Sequence, residues 1–474
     1  MALDADACYR ALRAHDARFD GRFFVAVKST RIYCRPICTA KAVKRENCRF
    51  YTTAAEAEAA RYRPCLRCRP ELAPGNASVD AGARLARAAA TAIENAAEGG
   101  FPAIAAHLGV TDRHLRRVFR EEFGVSPVAY AQTQRLLLAK RLLTDTSMPV
   151  TDIAFASGFS SLRRFNALFA ERYRLSPMRL RSKREREPAE HADAIDLTLA
   201  VRAPYDWNAI VGFLATRTID GVEAVEGTTY RRTVRIERGR NVHAGWVELA
   251  PAAAGLRLRV SSGLLPVLPA VLGKAKHLAD VAADPHAIAA RLGEIAVAAP
   301  GMRVPGAFDG FDVAVRAVLG QQITVKAART IAGRFAAAFG TPIATPHEGL
   351  RVLFPAASDV ATRSVESIAR LGIVGARART IIALAAAIAD GSLLLEPGAD
   401  VERTLAALRA VPGVGEWTAQ YVAMRALAWP DAFPHTDLGV MKALGEKNPK
   451  RVLAAGEAWR PWRAYAVMHI WRKL

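Results

Sequence analysis

The sequence predicts a multidomain α+β protein, mainly α-helical, and three observations carry that reading. The chain has 474 residues, too many for one hydrophobic core. Two stretches about 50 residues apart, Ala103–Pro127 and Asp152–Pro177, repeat the same helix, glycine turn and helix. Residues 195–285 mix strand-like alternation, as in LRLRVS (256–261), with helical stretches. The expected order is a small cysteine-bearing α/β domain over 1–76 and a double helix-turn-helix domain over 80–180. A charged linker follows over 181–194, then an α/β domain over 195–285 and an all-α helix-hairpin-helix domain over 286–474.

Charge indicates what such a chain meets. The formal net charge is +21. Residues 1–79 carry 15 basic and 8 acidic side chains, residues 80–187 carry 18 and 11, and the remainder carries 33 and 26. Each part therefore has the same excess of +7. A polyanion touched by every part is the simplest partner, and nucleic acid is the one that fits. The start of the chain lacks a signal-peptide core, and no apolar run reaches membrane-spanning length. A cytoplasmic, monomeric protein with no membrane partner is expected.

The first domain is defined by its thiols. Six cysteines in this length argue against a disulfide framework. Cys34 and Cys38 are separated by three residues, Cys65 and Cys68 by two, with 26 residues between the pairs. Two such knuckles build a tetrahedral Zn²⁺ site. Cys8 and Cys48 lack partners at this spacing and read as buried thiols. Arg31, Arg35, Lys41, Lys44, Arg45, Arg63, Arg67 and Arg69 crowd the knuckles. A metal-held thiolate stays deprotonated and remains nucleophilic, and the cations would hold a phosphate backbone against it.

FFVAVKSTRIYCRPICTAKAVKRENCRFY followed by RPCLRCRP closely resembles the N-terminal domain of Ada-type alkylation-response proteins. The resemblance implies that Cys34 is both a zinc ligand and the irreversible acceptor of a methyl group from DNA methylphosphotriesters. Cys38, Cys65 and Cys68 complete the ligand set, and Arg35, Lys44, Arg45 and Arg67 lie at the DNA. Methylation removes a negative charge facing the DNA, so binding should tighten.

In the first helix pair Leu115, Val118 and Phe119 form the inward stripe, leaving Arg113, His114, Arg116 and Arg117 outward. In the second, Phe165, Leu168 and Phe169 point in, while Ser161, Arg163, Arg164 and Asn166 point out. Gly109 and Gly158 mark the turns, and Thr111 and Ser160 are candidate N-caps. An arginine-rich start to a second helix is what enters a major groove. With the connecting helix YAQTQRLLLAKRLL, this stretch resembles the AraC-type DNA-binding domain, which implies a transcriptional activator that meets RNA polymerase. RSKREREPAEHADA, Arg181–Ala194, reads as the linker.

APYDWNAIVGFLATRTIDGVE opens the second half and resembles the N-terminal domain of AlkA-type 3-methyladenine DNA glycosylases. In LRAVPGVGEWTAQYVAMRAL, Gly413 and Gly415 permit a tight turn whose N–H groups face outward at a helix start, a phosphate-binding end. Asp437 follows Gly415 by 22 residues. That spacing resembles the helix-hairpin-helix glycosylases and implies that Asp437 is the catalytic acid, although a helix-start acid is the bland alternative. Trp417, Tyr421 and Trp471 match AlkA base-pocket positions, and the closing WRPWRAYAVMHIWRKL resembles the AlkA C-terminal helix. FDVAVRAVLGQQITVKAA resembles the DNA-inserting region, with Gln322 or Ile323 as the wedge.

Trp417 stands where bifunctional relatives carry a lysine nucleophile, so hydrolysis without strand cleavage is expected. No cysteine follows Cys68, so an O6-methylguanine transferase domain is not expected in this chain. The alternatives are a transcriptional regulator with an inactive glycosylase remnant, and a zinc scaffold that only binds DNA.

Overall fold

The computed structural model describes residues 4–40, 43–74, 81–95, 100–181 and 193–473. Lys41 and nearly all of the charged linker lie outside these. The chain divides into two compact units. One comprises Met1–Ala203, Ala252–Gly273 and Val281–Ala283; the other comprises Pro204–Pro251, Lys274–Asp280 and Asp284–Leu474. Helices dominate both, as the periodicity predicts. Among the described residues no helix is long and apolar enough to cross a membrane.

The first unit opens with helix α1 (Ala5–Arg13) and a four-stranded sheet. Its strands are β1 (Phe24–Val27), β2 (Ile32–Cys34), β3 (Cys48–Tyr51) and β4 (Arg63–Pro64), in the order β3-β1-β2-β4. β2 and β4 run parallel with Tyr33 opposite Pro64, and Cys65 N–H donates to Tyr33 O at 2.9 Å. This register brings the two cysteine knuckles side by side. Helix α2 (Ala54–Ala59) is fixed by a capping box between Thr53 and Glu56. Cys8 and Cys48 are buried together with Phe23 and Val25, and burial pushes both thiols up.

Seven helices follow: α3 (Ala81–Glu94), α4 (Gly100–His107), α5 (Asp112–Phe123), α6 (Pro127–Asp145), α7 (Val150–Ala156), α8 (Leu162–Tyr173) and α9 (Pro177–Arg181). Gly109 and Gly158 occupy the left-handed turns with φ of 70° and 85°. Ser126 caps α6, whose first residue is Pro127. Leu115, Phe119, Phe165 and Phe169 are fully buried, and Val118 and Leu168 are half-buried.

Buried polar groups join the sheet to the helices. The Glu58 carboxylate accepts from Tyr33 OH at 3.1 Å and Thr133 Oγ1 at 2.9 Å, with Tyr173 OH at 3.5 Å. Burial raises its pKa to about 7. Lys140 donates to Glu71 at 2.6 Å, and Arg69 pairs with Asp145 at 2.8 Å. Strand β5 (Ala194–Leu199) pairs antiparallel with Gly255–Ser261 in the same unit.

The second unit contains helix α10 (Trp207–Ala215) and the antiparallel strands β6 (Glu223–Glu226), β7 (Thr229–Arg238) and β8 (Asn241–Ala252). Its helical part includes α11 (Gly310–Leu319), α12 (Val325–Phe339), α13 (Gly375–Ala389), α14 (Val401–Ala410), α15 (Glu416–Ala426), α16 (Leu438–Ala443) and α17 (Arg463–Trp471). A buried ion cluster fastens α11 to the strands. Asp312 bonds Arg232 at 3.0 Å and Arg316 at 2.8 Å, and Arg316 bonds Glu223 at 2.9 Å. Buried charges persist when they are paired in this way.

Candidate functional site

The sulfur atoms of Cys34, Cys38, Cys65 and Cys68 all lie within 4.8 Å of one another. A tetrahedral zinc thiolate needs sulfurs about 3.8 Å apart, so the donor set fits one Zn²⁺. Three of the sulfurs also receive backbone N–H groups. Arg35 N–H donates to Cys68 Sγ and Arg67 N–H to Cys65 Sγ, each at 3.3 Å, and Ala40 N–H bonds Cys38. Among the described residues no such donor reaches Cys34. Without metal the thiols share protons: the hydrogen bond to Cys38 raises Cys34, and the hydrogen bond to Cys34 lowers Cys65.

Asp437 sits at the centre of the second constellation. It N-caps α16, its Oδ1 accepting from Val440 N–H at 3.0 Å. The same carboxylate accepts from Trp471 Nε1 at 3.0 Å and Trp417 Nε1 at 2.8 Å. Trp417 stacks on Tyr421 with ring centroids 5.2 Å apart and planes 8° apart, and Trp471 lies 6.2 Å from Tyr421. The predicted pocket residues therefore come together, and the acid is both a helix cap and the focus of two indoles. Burial works to raise the Tyr421 phenol, but Arg425 and Arg217 outweigh it and leave it below its ordinary value.

The hairpin between α14 and α15 presents Gly413 and Gly415, both exposed. Gly413 has φ of 89°, and a Cβ there would meet Thr380 Oγ1 at 2.2 Å. Gly415 begins α15 with no side-chain cap, leaving that helix start to backbone N–H groups. Gln322, exposed with φ of 57°, and half-buried Ile323 stand on the turn between α11 and α12.

Four family models match successive stretches. They are the metal binding domain of Ada (residues 7–71), a helix-turn-helix domain (104–183), the AlkA N-terminal domain (196–309) and the HhH-GPD superfamily of base excision DNA repair proteins (315–449). The chain is 40 % identical over 496 aligned positions to the "Probable bifunctional transcriptional activator/DNA repair enzyme AlkA" of Mycobacterium tuberculosis, covering 100 % of this chain and 97 % of that one. The chain belongs to that Ada/AlkA bifunctional family.

Parts of this Ada/AlkA chain also match other proteins. It is 34 % identical over 274 positions to "DNA-3-methyladenine glycosylase 2" of Escherichia coli, spanning 58 % of this chain and 96 % of that one. It is 37 % identical over 140 positions to the "Bifunctional transcriptional activator/DNA repair enzyme Ada" of E. coli, spanning 30 % of this chain and 38 % of that one.

Several Ada/AlkA site residues sit differently from the expectation. Arg35, expected at the DNA, is buried: its guanidinium bonds the Asp20 carboxylate, at 2.8 Å through Nε, and the Cys68 carbonyl at 3.2 Å. It braces the thiol cluster from inside. Arg45 pairs with Asp6 at 2.9 Å and lies over Phe50, while Lys44 and Arg67 are exposed.

The cap of α8 is Ser161 rather than Ser160, with its hydroxyl accepting from Arg164 N–H at 3.3 Å. That hydroxyl is thereby committed to the helix instead of the groove. Arg116 is tied to Asp112 at 2.7 Å and lies over Phe101. Arg117 pairs with Glu121 at 2.9 Å and touches His114 at 3.3 Å. Arg113, Arg163, Arg164 and Asn166 are exposed on α5 and α8.

Sequence reasoning missed four pocket neighbours. Phe213 stacks near Trp471, with centroids 6.4 Å apart, and Arg217 covers its other neighbourhood at 3.9 Å. Arg425 donates to Tyr421 OH at 2.8 Å. Gln321 donates to Gly413 O and Thr418 Oγ1, both at 3.0 Å, tying the turn that bears Gln322 and Ile323 to the hairpin. The PYDW stretch was the signal for Phe213, which lies a few residues beyond it. Gln321 stands beside the glutamine already singled out.

Proposed function

We infer that this chain senses backbone alkylation, activates transcription in response and excises alkylated bases. The observation that carries the sensor reading is the unequal treatment of four otherwise similar sulfurs. An N–H donor stabilises a thiolate and lowers its reactivity. Cys34, which has none, keeps the most available electron pair. Bound zinc holds the thiolates ionised near neutral pH. The Cys34 sulfur attacks the methyl carbon of a methylphosphotriester, the carbon–oxygen bond breaks, and its electron pair returns to the phosphate as a diester anion. The thiolate becomes a thioether, one negative charge leaves the centre, and phosphate contacts strengthen.

Arg113, Arg163, Arg164 and Asn166 then read an operator through α5 and α8, with RNA polymerase as the partner of the monomeric activator. In the second unit the damaged nucleotide is flipped out past Gln322 or Ile323, and the backbone N–H groups at Gly413 and Gly415 hold a phosphate. The electron-poor base stacks on Trp417, Tyr421 and Trp471. The bond from C1′ to the base nitrogen breaks, its electron pair leaves with the neutral base, and the Asp437 carboxylate stabilises the cationic sugar until water adds. With Trp417 in place of a lysine nucleophile, the product is an abasic site in an intact strand. The test is release of 3-methyladenine from methylated duplex without strand cleavage. Folded, zinc-loaded protein that releases no base would leave the regulator reading alone standing.

A further inference from the structure

The two helix-turn-helix repeats end differently. In the first, EEFGVSP, helix α5 stops at Gly124, with φ of 66°; in the second, ERYRLSP, helix α8 stops at Arg174, with φ of 59°. Both residues are left-handed, a conformation that disfavours any residue with a Cβ. At Gly124 glycine is required twice over, because a Cβ would meet Glu56 Oε1 at 2.1 Å. At Arg174 no such crowding exists. The backbone instead opens onto a cleft of about 280 Å³ lined by Arg63, Leu66, Tyr173, Arg174, Leu175, Arg179 and Leu180, with no acidic residue among the described residues of its lining. Leu66 lies between Cys65 and Cys68, so one wall of the cleft is the metal knuckle itself. Strain tolerated where glycine would remove it points to a use for the side chain.

We propose that this cleft binds a phosphodiester of duplex DNA, gripped by Arg63 and Arg174 between the metal centre and the second helix-turn-helix unit. The inference rests on the reading of that region as a duplex binder and adds to it a phosphate site at the end of α8. The two guanidiniums fit a phosphate by geometry as well as charge. Leu66 and Leu175 supply apolar walls. Such a contact carries no sequence information; it fixes the register of the second unit on the backbone. One phosphate would then tie the knuckle that bears the methyl acceptor to the end of the reading helix.

The test uses the full-length, zinc-loaded protein and a fluorescent, lesion-free duplex titrated across KCl concentrations. Arg174→Gly restores the residue of the first repeat, so its melting temperature should hold or rise. Its affinity should fall several-fold on any duplex sequence, and its salt slope should shrink by about one. Arg63→Ala should behave alike, whereas Arg13→Ala, an exposed arginine on the first helix, controls for charge and should leave the slope unchanged. If Arg174→Gly binds with wild-type slope and affinity, or loses no more than Arg13→Ala, the site is refuted. If inorganic phosphate raises the wild-type melting temperature while Arg174→Gly leaves the duplex slope unchanged, the cleft takes free anions only, and the proposal falls. Failure of the wild type to bind any duplex would sink the helix-turn-helix reading itself.

Discussion

The sulfur of Cys34 and the carboxylate of Asp437 are treated in opposite ways. Three sulfurs of the thiol cluster receive backbone N–H groups, and Cys34 receives none among the described residues. Asp437 receives three donors, from Trp417, Trp471 and Val440. A nucleophile must offer its electron pair, and each hydrogen bond withdraws some of it. A carboxylate that is to stabilise a passing cation must instead stay in place, and its donors fix its position. On the proposed function, the same interaction is withheld at the atom that is consumed and supplied at the atom that must survive each turnover.

The largest expected effect tests the first half of that contrast. Cys34→Ala should take methyl uptake from one equivalent to none, read by mass spectrometry of the peptides. A methyl group appearing on Cys65 or Cys68 in the wild type would break the comparison, because those sulfurs carry donors. Next, Asp437→Asn keeps the helix cap but loses the charge, and base excision should fall roughly 10²–10³-fold. Retained excision would make the indole cage a structural device only.

Smaller effects sharpen the picture. Trp471→Phe and Trp417→Phe keep a ring and remove one N–H each, and excision should fall about tenfold in either case. Their double variant should lose less than the product of the two, since both act through one carboxylate.

Glu58 gives a pH prediction. Its carboxyl is raised from 4.5 to about 7 in the folded state. It therefore binds a proton more readily folded than unfolded. The stability it contributes is complete below pH 4.5 and is lost as pH rises toward about 7. Chemical denaturation across that window should show stability falling with pH more steeply in the wild type than in Glu58→Gln. Smallest of all, Thr111→Ala should cost about 1 kcal/mol through loss of the cap on α5.

How much of this was legible in the sequence follows from where the partners lie along the chain. The four clustered cysteines were readable because ligand spacing is local, and Asp437 was singled out because its distance from the hairpin resembles a known pattern. The inward stripes on α5 and α8 followed from periodicity alone. Arg35 misled, because its partner Asp20 stands 15 residues earlier with nothing in the intervening sequence to announce the pairing. Ser160 and Ser161 are adjacent and chemically identical, so only backbone geometry could choose the cap. Phe213 and Arg425 reach the base pocket from segments more than 200 residues apart, a contact no local pattern encodes. The strained Arg174 was invisible too, since a left-handed arginine has no signature beyond its mismatch with Gly124.

One reaction tests the contrast between the two centres most directly. Duplex DNA methylated with a tritiated reagent is incubated with wild type and with Asp437→Asn, and label is counted separately on the protein and in released base. The account predicts both signals for wild type, with all protein-bound label on Cys34, and for the variant an unchanged protein signal with released base nearly abolished. Base release by Asp437→Asn at the wild-type rate, or label on any other cysteine, would contradict it.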